Sequence, residues 1–280
     1  MAAAFRAAHY LYDEPKVFED SYALALTSPH WRMVCRSRLL HWFVLRRFLG
    51  DLRPVHGQIL ARSRLAEEAL GRAIGSGVTQ YVIVGAGLDS FALRRPDLMA
   101  RLRIFEVDHP ATQAAKRSRV RELVGQDPAH LQYVPVDFER ETVADGLRRS
   151  GFDPSRPAFV SWLGVVYYLT RDAVFGTLRA IREIAAPGSE LVLDFTVPLD
   201  QVPAEDLRVS AAMRRFAAHR GEPFLTRLDP ALFPGEAEAL GYRVLELVGS
   251  PEQQRRFFAG RQDGLRTVGT SHFLRLGVEG

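Results

Sequence analysis

The chain has 280 residues and a mass of 31.4 kDa, which suits one large α/β domain or two small ones. Its composition, 47% hydrophobic and 25% charged, is that of a soluble globular protein and excludes disorder, a collagen-like repeat and a coiled coil. Only two of its 37 basic residues are lysines, and the net charge of +4 is spread along the chain. We therefore expect no nucleic-acid partner and no membrane partner.

The single cysteine, Cys35, excludes an intramolecular disulfide and favours a reducing compartment. The segment from Met1 to Tyr12 lacks the sustained apolar stretch of a secretory signal. The most apolar early run, Leu39 to Leu49, is too short and too charged to span a bilayer. These features predict a cytoplasmic protein.

Residues 1–75 have helical patterns rich in aromatic side chains and arginine, with no convincing strand. They predict a helical N-terminal cap. Its aromatic side chains would suit a lipophilic or aromatic substrate, or equally a small core between the cap and the rest of the protein. They include Trp31, Trp42, Phe43 and Phe48.

From residue 76 onward, short β-rich runs alternate with helical stretches, which is the pattern of βαβ units in a mostly parallel sheet. Helices are predicted at Thr112–Val124, Arg140–Ser150 and Arg171–Ala186. A further helix, Ala204–His219, belongs to a predicted lid insertion at about residues 200–235. The predicted strands are Gln80–Gly85, Arg103–Asp108, Gln132–Asp137, Ala158–Gly164, Glu190–Thr196, Tyr242–Val248 and Ser271–Val278.

Near-continuous apolar runs in the early strands imply a sheet that is buried on both faces. We therefore predict an α/β fold, with a Rossmann-like seven-stranded sheet over residues 76–280 and helices on both of its faces. The cap, the sheet and the lid would together form one structural domain.

Two glycines follow the first predicted strand, in the string VIVGAGLDS at residues 82–90. Glycine at this place lets the backbone turn sharply and lets a ligand come close. A dinucleotide site would have a third glycine at position 90 and no acid beside the diphosphate, whereas this chain has Ser90 and Asp89. The loop is therefore either a structural turn or the cradle of a nucleoside ligand that carries no phosphate.

Acidic residues end the second and third predicted strands. Asp108 lies 21 residues beyond Gly87, the spacing expected of a carboxylate that accepts hydrogen bonds from both ribose hydroxyls. Asp137 could accept the adenine amine, with Phe138 beside it as a stacking surface. Each aspartate could instead cap the helix that follows it. A ligand that contains adenine and ribose but no phosphate matches S-adenosylmethionine. For this compound an enzyme mainly has to hold a nucleophile in line with the methyl group.

Several strings resemble the leucine carboxyl methyltransferase family of class I S-adenosylmethionine-dependent methyltransferases, especially its bacterial branch. They are ARSR (61–64), YVIVGAGLDS (81–90), FEVDHP (105–110), PVDF (135–138) and SWLGVVYYLT (161–170). The string FAGRQDGLR (258–266) is similar to the branch that includes carboxyl methyltransferases of aromatic polyketide biosynthesis. The resemblance covers most of the chain from about residue 9 onward.

The resemblance implies a set of cofactor contacts. Arg62 would pair with the methionine carboxylate, for which a guanidinium is well suited. The family often has an acid at the position of Leu163, so only a backbone contact is expected there. The other implied contacts are to the methionine part for Gly85, Ala86, Gly87, Trp162 and Leu163, to the ribose for Asp108 with His109 at the rim, and to the adenine for Asp137 and Phe138.

The methyl acceptor is expected to be a carboxylate, because this group is ionised at pH 7 and needs no general base, whereas a phenol usually does. The family resemblance implies the same acceptor, in a small metabolite such as a polyketide or a related natural-product acid. No metal site and no catalytic dyad is predicted. Tyr168 could orient the acceptor oxygen or pack under the lid, and Arg261 could bind an anionic substrate or hold its own turn through Asp263. Methylation of a phenol or hydroxyl, and a catalytically idle cofactor-binding protein, remain alternatives, as do a monomer and a homodimer.

Overall fold

The structure, a computed structural model, describes residues 1–48, 50–98 and 100–279. Its strands are β1 Gln80–Val84, β2 Arg103–Asp108, β3 Leu131–Pro135, β4 Ala158–Trp162, β5 Glu190–Thr196, β6 Tyr242–Val248 and β7 Ser271–Val278. They form one seven-stranded sheet in the order β3-β2-β1-β4-β5-β7-β6. Strands β1 to β5 pair in parallel, and β7 runs antiparallel to both β5 and β6. The predicted mostly parallel, Rossmann-like sheet is confirmed.

Helices cover both faces of the sheet. The cap contains α1 Ala2–Tyr12, α2 Ala23–Leu26, α3 Pro29–Arg36, α4 Arg38–His41 and α5 Arg53–Gly75, with a π-helical stretch at Trp42–Phe48. The rest of the chain adds α6 Phe91–Arg94, α7 Pro110–Val124, α8 Val143–Arg149, α9 Arg171–Ile184, α10 Leu207–Ala218, α11 Phe233–Glu238 and α12 Ser250–Phe257. No helix in the described ranges is long and apolar enough to cross a membrane.

Alternating residues of β1 show how the two faces are filled. Val82 and Val84 pack in one core cluster with α8 and α9, and Tyr81 and Ile83 pack in another with α5. Both clusters are buried, so successive side chains on one strand contribute to different cores. This explains why the sequence of the early strands is apolar throughout.

The ends of several elements differ from the predicted ones for local reasons. Strands β1 and β4 stop before Gly85 and Gly164, which have φ of +69° and +76° and turn the chain out of the sheet. Helix α8 begins at Val143 because Thr142 and Asp145 form a capping box there. Helix α7 begins at Pro110, two residues earlier than predicted, since proline suits the first helical turn.

The cap has its own hydrophobic cluster, which joins α1 and α5 to α10, the helix of the predicted lid. Trp31 packs against this cluster, whereas Trp42 and Phe43 are each 57% exposed, so the cap aromatics do not form one substrate surface. The side chain of Phe48 lies outside the described residues. The cap boundary near residue 75 stays a prediction, and the first half of α5 packs in the cap while its second half packs on the sheet.

A buried histidine lies inside the cap. His56 on α5 is buried and stacks on Phe5, with 5.0 Å between the ring centroids. Burial lowers the pKa of His56 to about 3. Its ring is therefore neutral in the folded protein at pH values where an exposed histidine would be charged.

We expect His56 to make the folded state sensitive to mild acid. Below its ordinary pKa of 6.5 the unfolded chain binds a proton that the folded chain does not bind until about pH 3, so the free energy of unfolding falls as the pH drops through this window. By about pH 5 the loss from this residue should be about 2 kcal/mol. Urea unfolding at about pH 7.5 and pH 5 measures it. In His56→Phe, whose ring keeps the stacking on Phe5, the loss should shrink; an equal loss in both proteins would rule out His56 as its source.

Candidate functional site

Two adjoining cavities lie at the carboxyl ends of β1 and β4, under the cap. The first, which we call the glycine-loop cavity, has a volume of about 230 Å³ and is bordered by residues 85–89, Arg6 and Leu163. The second, which we call the lid cavity, has a volume of about 180 Å³ and lies between α5, α10 and Tyr168. Arg62 and Gly164 border both cavities. A ligand in one cavity would therefore lie next to a ligand in the other.

The glycine loop is a tight turn that only glycine can make at two positions. Gly85 and Gly87 have φ of +69° and +50°, and a Cβ on Gly85 would clash with Val165. The amide of Gly85 donates to the carbonyl oxygen of Val107 at 2.8 Å, which ties the loop to β2. The loop leaves open space above Gly87, where a ligand could approach the backbone.

Asp108 lies at the loop, as the spacing predicts. Its Oδ2 accepts a hydrogen bond from the amide of Gly87, and its Oδ1 accepts one from the amide of His109 at 2.7 Å. Each oxygen keeps lone pairs for further donors. His109 itself is exposed, and its Nδ1 caps α7 by accepting from the amide of Ala111 at 3.3 Å. The carboxylate thus lies at the loop, but neither it nor the imidazole is among the residues that border the two cavities.

The remaining cofactor candidates lie at the same edge of the sheet, at different depths. Asp137 accepts a hydrogen bond from the amide of Glu139 at 3.1 Å, and Phe138 is 41% exposed. Leu163 borders the glycine-loop cavity. The side chain of Trp162 is buried in the core, so only its backbone could reach a ligand. Their roles in binding stay predictions.

Arg62 is the centre of the site. Its Nη1 donates to the hydroxyl of Tyr167 and to Oδ2 of Asp194, each at 3.0 Å. Oδ1 of Asp194, which is fully buried, accepts from the amide of Gly164 at 2.5 Å. A Cβ on Gly164 would lie 2.5 Å from Nη2 of Arg62, so glycine is needed there for the guanidinium to fit.

The guanidinium of Arg62 stays protonated and positively charged although it is buried. Burial by itself lowers the pKa of this guanidinium, but Asp194 and Tyr167 raise it more, and the pKa ends above its ordinary value. A guanidinium has five N–H donors, and Nη1 supplies both bonds described above. The donors on its other nitrogens lie beside the two cavities.

The cap holds the glycine loop from above through a second arginine, which the sequence analysis missed. Arg6 of α1 donates from Nη2 to the carbonyl oxygen of Leu88 at 2.8 Å and pairs through Nε with Asp20 at 2.7 Å. Ser90 donates to the same aspartate at 2.7 Å. A single arginine in the alanine-rich string AAAFRAAHYLY was the available signal, because a cation on such a helix needs a partner.

The lid cavity is mostly apolar and has aromatic walls. Tyr168 borders it together with Phe224, and their ring centroids are 5.4 Å apart. Burial raises the pKa of Tyr168, so its hydroxyl stays a neutral donor at neutral pH. Charged groups border the cavity at Arg62, Arg220 and Glu222, of which the last two are exposed. Its apolar lining residues are Met1, Ala2, Leu52, Val55, Ile59, Met213, Phe216, Ala217 and Phe224.

The structure does not support Arg261 as a substrate-binding residue. Its guanidinium forms a two-point ion pair with Asp263, at 3.0 and 2.7 Å, and donates to the carbonyl oxygen of Pro15 at 2.5 Å. It borders neither the glycine-loop cavity nor the lid cavity. The alternative considered for this residue, that it holds its own turn through Asp263, is the arrangement observed.

A trio of buried residues in the cap, His9, Asp13 and His56, has ligand atoms within 4.8 Å of one another. Nε2 of His9 accepts from the amide of Val17 at 2.8 Å, so Nδ1 carries the proton and donates to Asp13 at 3.0 Å. A neutral imidazole in these two bonds has no lone pair left for a metal ion. We therefore interpret His9 and Asp13 as a hydrogen-bonded pair of the cap, which the ring of His56 contacts edge-on with 5.9 Å between the centroids of the two histidine rings.

Comparison with known proteins identifies the family. The sequence profile described as "Leucine carboxyl methyltransferase" matches residues 1–182. YktD of Bacillus subtilis (strain 168), named as an S-adenosyl-L-methionine-dependent methyltransferase, is 30% identical over 98% of this chain and 95% of its own length. A crystal structure of a methyltransferase from Thermobifida fusca YX has the same fold, with a TM-score of 0.61 and 17% identity over 100% of this chain and 95% of that one. The chain therefore belongs to the leucine carboxyl methyltransferase family and is an S-adenosylmethionine-dependent methyltransferase.

We expect Asp194→Asn to destabilise the fold and to weaken cofactor binding, because it leaves the buried charge of Arg62 without its partner. Removing one member of a buried pair costs about 3–5 kcal/mol of unfolding free energy. Urea unfolding measures the stability, and calorimetry with S-adenosylhomocysteine measures the binding. Glu183→Gln is the control, because Glu183 pairs with Arg148 while both side chains are about half exposed, at 63% and 48%, and such a pair contributes little. Equal effects of the two substitutions would contradict the central role of Arg62.

Proposed function

We propose that this member of the leucine carboxyl methyltransferase family transfers the methyl group of S-adenosylmethionine to a carboxylate of a small organic acid. The observation that carries the proposal is the composition of the lid cavity. Its described lining has apolar walls, two neutral tyrosines, Tyr167 and Tyr168, and no histidine or cysteine, and its one carboxylate, Glu222, is exposed. Such a cavity suits an acceptor that is already ionised and that needs no base.

The residues around the glycine-loop cavity fit the cofactor. A guanidinium with unused N–H groups is available for the methionine carboxylate at Arg62, and Asp108 can accept from ribose hydroxyls while it holds the loop. Gly87 leaves open the space that a Cβ would fill, so a ligand can approach the backbone there. Asp137 and Phe138 are proposed to frame the adenine. When bound, the cofactor supplies an electrophilic methyl group.

The chain's part in the reaction is then to position and desolvate the acceptor. The apolar walls exclude water from the carboxylate, and Tyr168 can donate its O–H to one carboxylate oxygen while the other forms the new C–O bond. The bond between the methyl carbon and sulfur breaks at the same time, and no proton has to be removed. Holding the two reacting atoms in line can lower the barrier by about 7–11 kcal/mol.

We expect Asp108→Ala to weaken binding of S-adenosylhomocysteine by about 10- to 100-fold, because it removes a charged acceptor for the ribose and a partner of the loop. Calorimetry measures the affinity. Asp127→Asn is the control, since Asp127 pairs with Arg117 and Arg121 away from both cavities and its loss should leave the affinity unchanged. Wild-type affinity in Asp108→Ala would show that the ribose assignment is wrong.

The pH dependence of the rate distinguishes a carboxylate acceptor from a phenol. For a carboxylate, kcat/KM should be flat above about pH 6, because the acceptor is fully ionised there. For a phenol, kcat/KM should climb towards the phenol pKa of about 10. The product gives a second readout: a methyl ester is hydrolysed by mild alkali and an aryl methyl ether is not. If kcat/KM rises with pH towards about pH 10 and the product is stable to mild alkali, the proposal of a carboxylate acceptor is wrong.

A further inference from the structure

The lid cavity is bordered by a buried polar side chain that has no hydrogen-bond partner among the described residues. Gln58 on α5 borders the cavity and is 1% exposed, and its Oε1 is buried without a hydrogen bond. No described residue accepts a hydrogen bond from its amide nitrogen. Gln58 precedes Arg62 by one helical turn, so both side chains project from the same face of α5.

Other buried glutamines of this chain are bonded. Gln113 donates to the carbonyl oxygen of Glu106 at 2.9 Å, and Gln253 donates to that of Val248 at 3.0 Å. Buried polar groups normally form hydrogen bonds inside the protein. A buried group that forms none has lost the hydrogen bonds that water made to it in the unfolded chain, which costs free energy. The exception at Gln58 lies on the wall of a cavity beside the proposed methyl position. The amide nitrogen of Gln58 also lacks a partner among the described residues, so it is free to donate to a ligand that accepts hydrogen bonds.

The size of the lid cavity limits the acceptor. An apolar cavity of about 150 Å³ holds one benzene molecule. The lid cavity, at about 180 Å³, therefore holds one ring with small substituents. The aromatic rings of Phe224 and Tyr168 on its wall can pack against a bound ring by face or by edge. A polycyclic acid would have to extend past the lid into solvent.

We propose, on the basis of the function above, that the lid cavity binds a compact acid with a single ring, and that the amide N–H of Gln58 donates a hydrogen bond to its carboxylate. The amide can present its nitrogen to the cavity by rotation of its last torsion. Together with Tyr168 it holds the acceptor oxygens beside Arg62 and Gly164, where the two cavities meet. Among the polyketide and related acids expected from the sequence, those with several fused rings are then outside the preferred class.

The test measures kcat and KM for one-ring and four-ring aromatic carboxylic acids. It uses three proteins: wild type, Gln58→Leu and Gln58→Glu. For wild type, kcat/KM should be at least about tenfold higher for the best one-ring acid. Gln58→Leu should raise KM for that acid by about 10- to 100-fold, the size of one hydrogen bond to a charged group, with less change in kcat. Gln58→Glu should be worse than Gln58→Leu at about pH 8 and recover at about pH 5.5, as the introduced carboxyl takes up a proton and stops repelling the acceptor.

Two further measurements keep the outcomes separate. Binding of the one-ring acid to the enzyme with S-adenosylhomocysteine tests the site without turnover, and thermal melting checks that each variant is folded. Gln113→Leu is the matched control: it removes a bonded glutamine that borders neither cavity, and it should lower stability without changing KM. An unchanged KM in Gln58→Leu, no pH-dependent recovery in Gln58→Glu, or a preference for four-ring acids would overturn the inference alone. If wild type binds S-adenosylhomocysteine and methylates only phenols, the proposed function fails and the inference fails with it.

Discussion

The buried ion pair between Arg62 and Asp194 fixes the relative position of the elements that make the site. Arg62 comes from α5, which joins the cap to the sheet, and Asp194 lies on β5, while Gly164 and Tyr167 follow β4. Removing two charges from water costs about as much as their attraction returns, so the pair adds little net stability. Its main effect is geometric, because a guanidinium held from two sides keeps its remaining donors directed at the cavities. The adjoining positions of the two cavities depend on this arrangement.

The cap acts on the glycine loop through the same kind of contact. Arg6 bonds the carbonyl oxygen of Leu88 and Asp20, and Asp20 also accepts from Ser90 at the end of the loop. The loop is thus held by β2 below, through Val107, and by α1 above. A loop supported on both sides has little freedom left to lose when a ligand binds, which favours binding. The cap therefore contributes to the proposed cofactor site as much as to the proposed acceptor site.

Local patterns in the sequence predicted the strands, the glycine turn and the place of Asp108, because each depends on a few neighbouring residues. The place of β7 between β5 and β6 depends on pairing between distant segments, which periodicity does not encode. Arg62 was singled out only by family resemblance, and its partner Asp194 is a single acid in the apolar strand ELVLDFT. Gln58 has an ordinary place in a helix, and only the folded chain shows that its amide is unpartnered. Arg261 lies beside Asp263 in sequence, so the local ion pair was the better interpretation.

Helix α5 carries both Gln58 and Arg62, which are separated by a single helical turn. The residues proposed to contact the acceptor and the cofactor are thus neighbours on one rigid element, with about 6 Å between their Cβ atoms. A substitution at position 58, or on the facing side of α10, could change which acid is accepted without altering the partners of Arg62. Divergence of acceptor choice in such a scaffold would need few mutations, and an engineered change of substrate could begin with these positions.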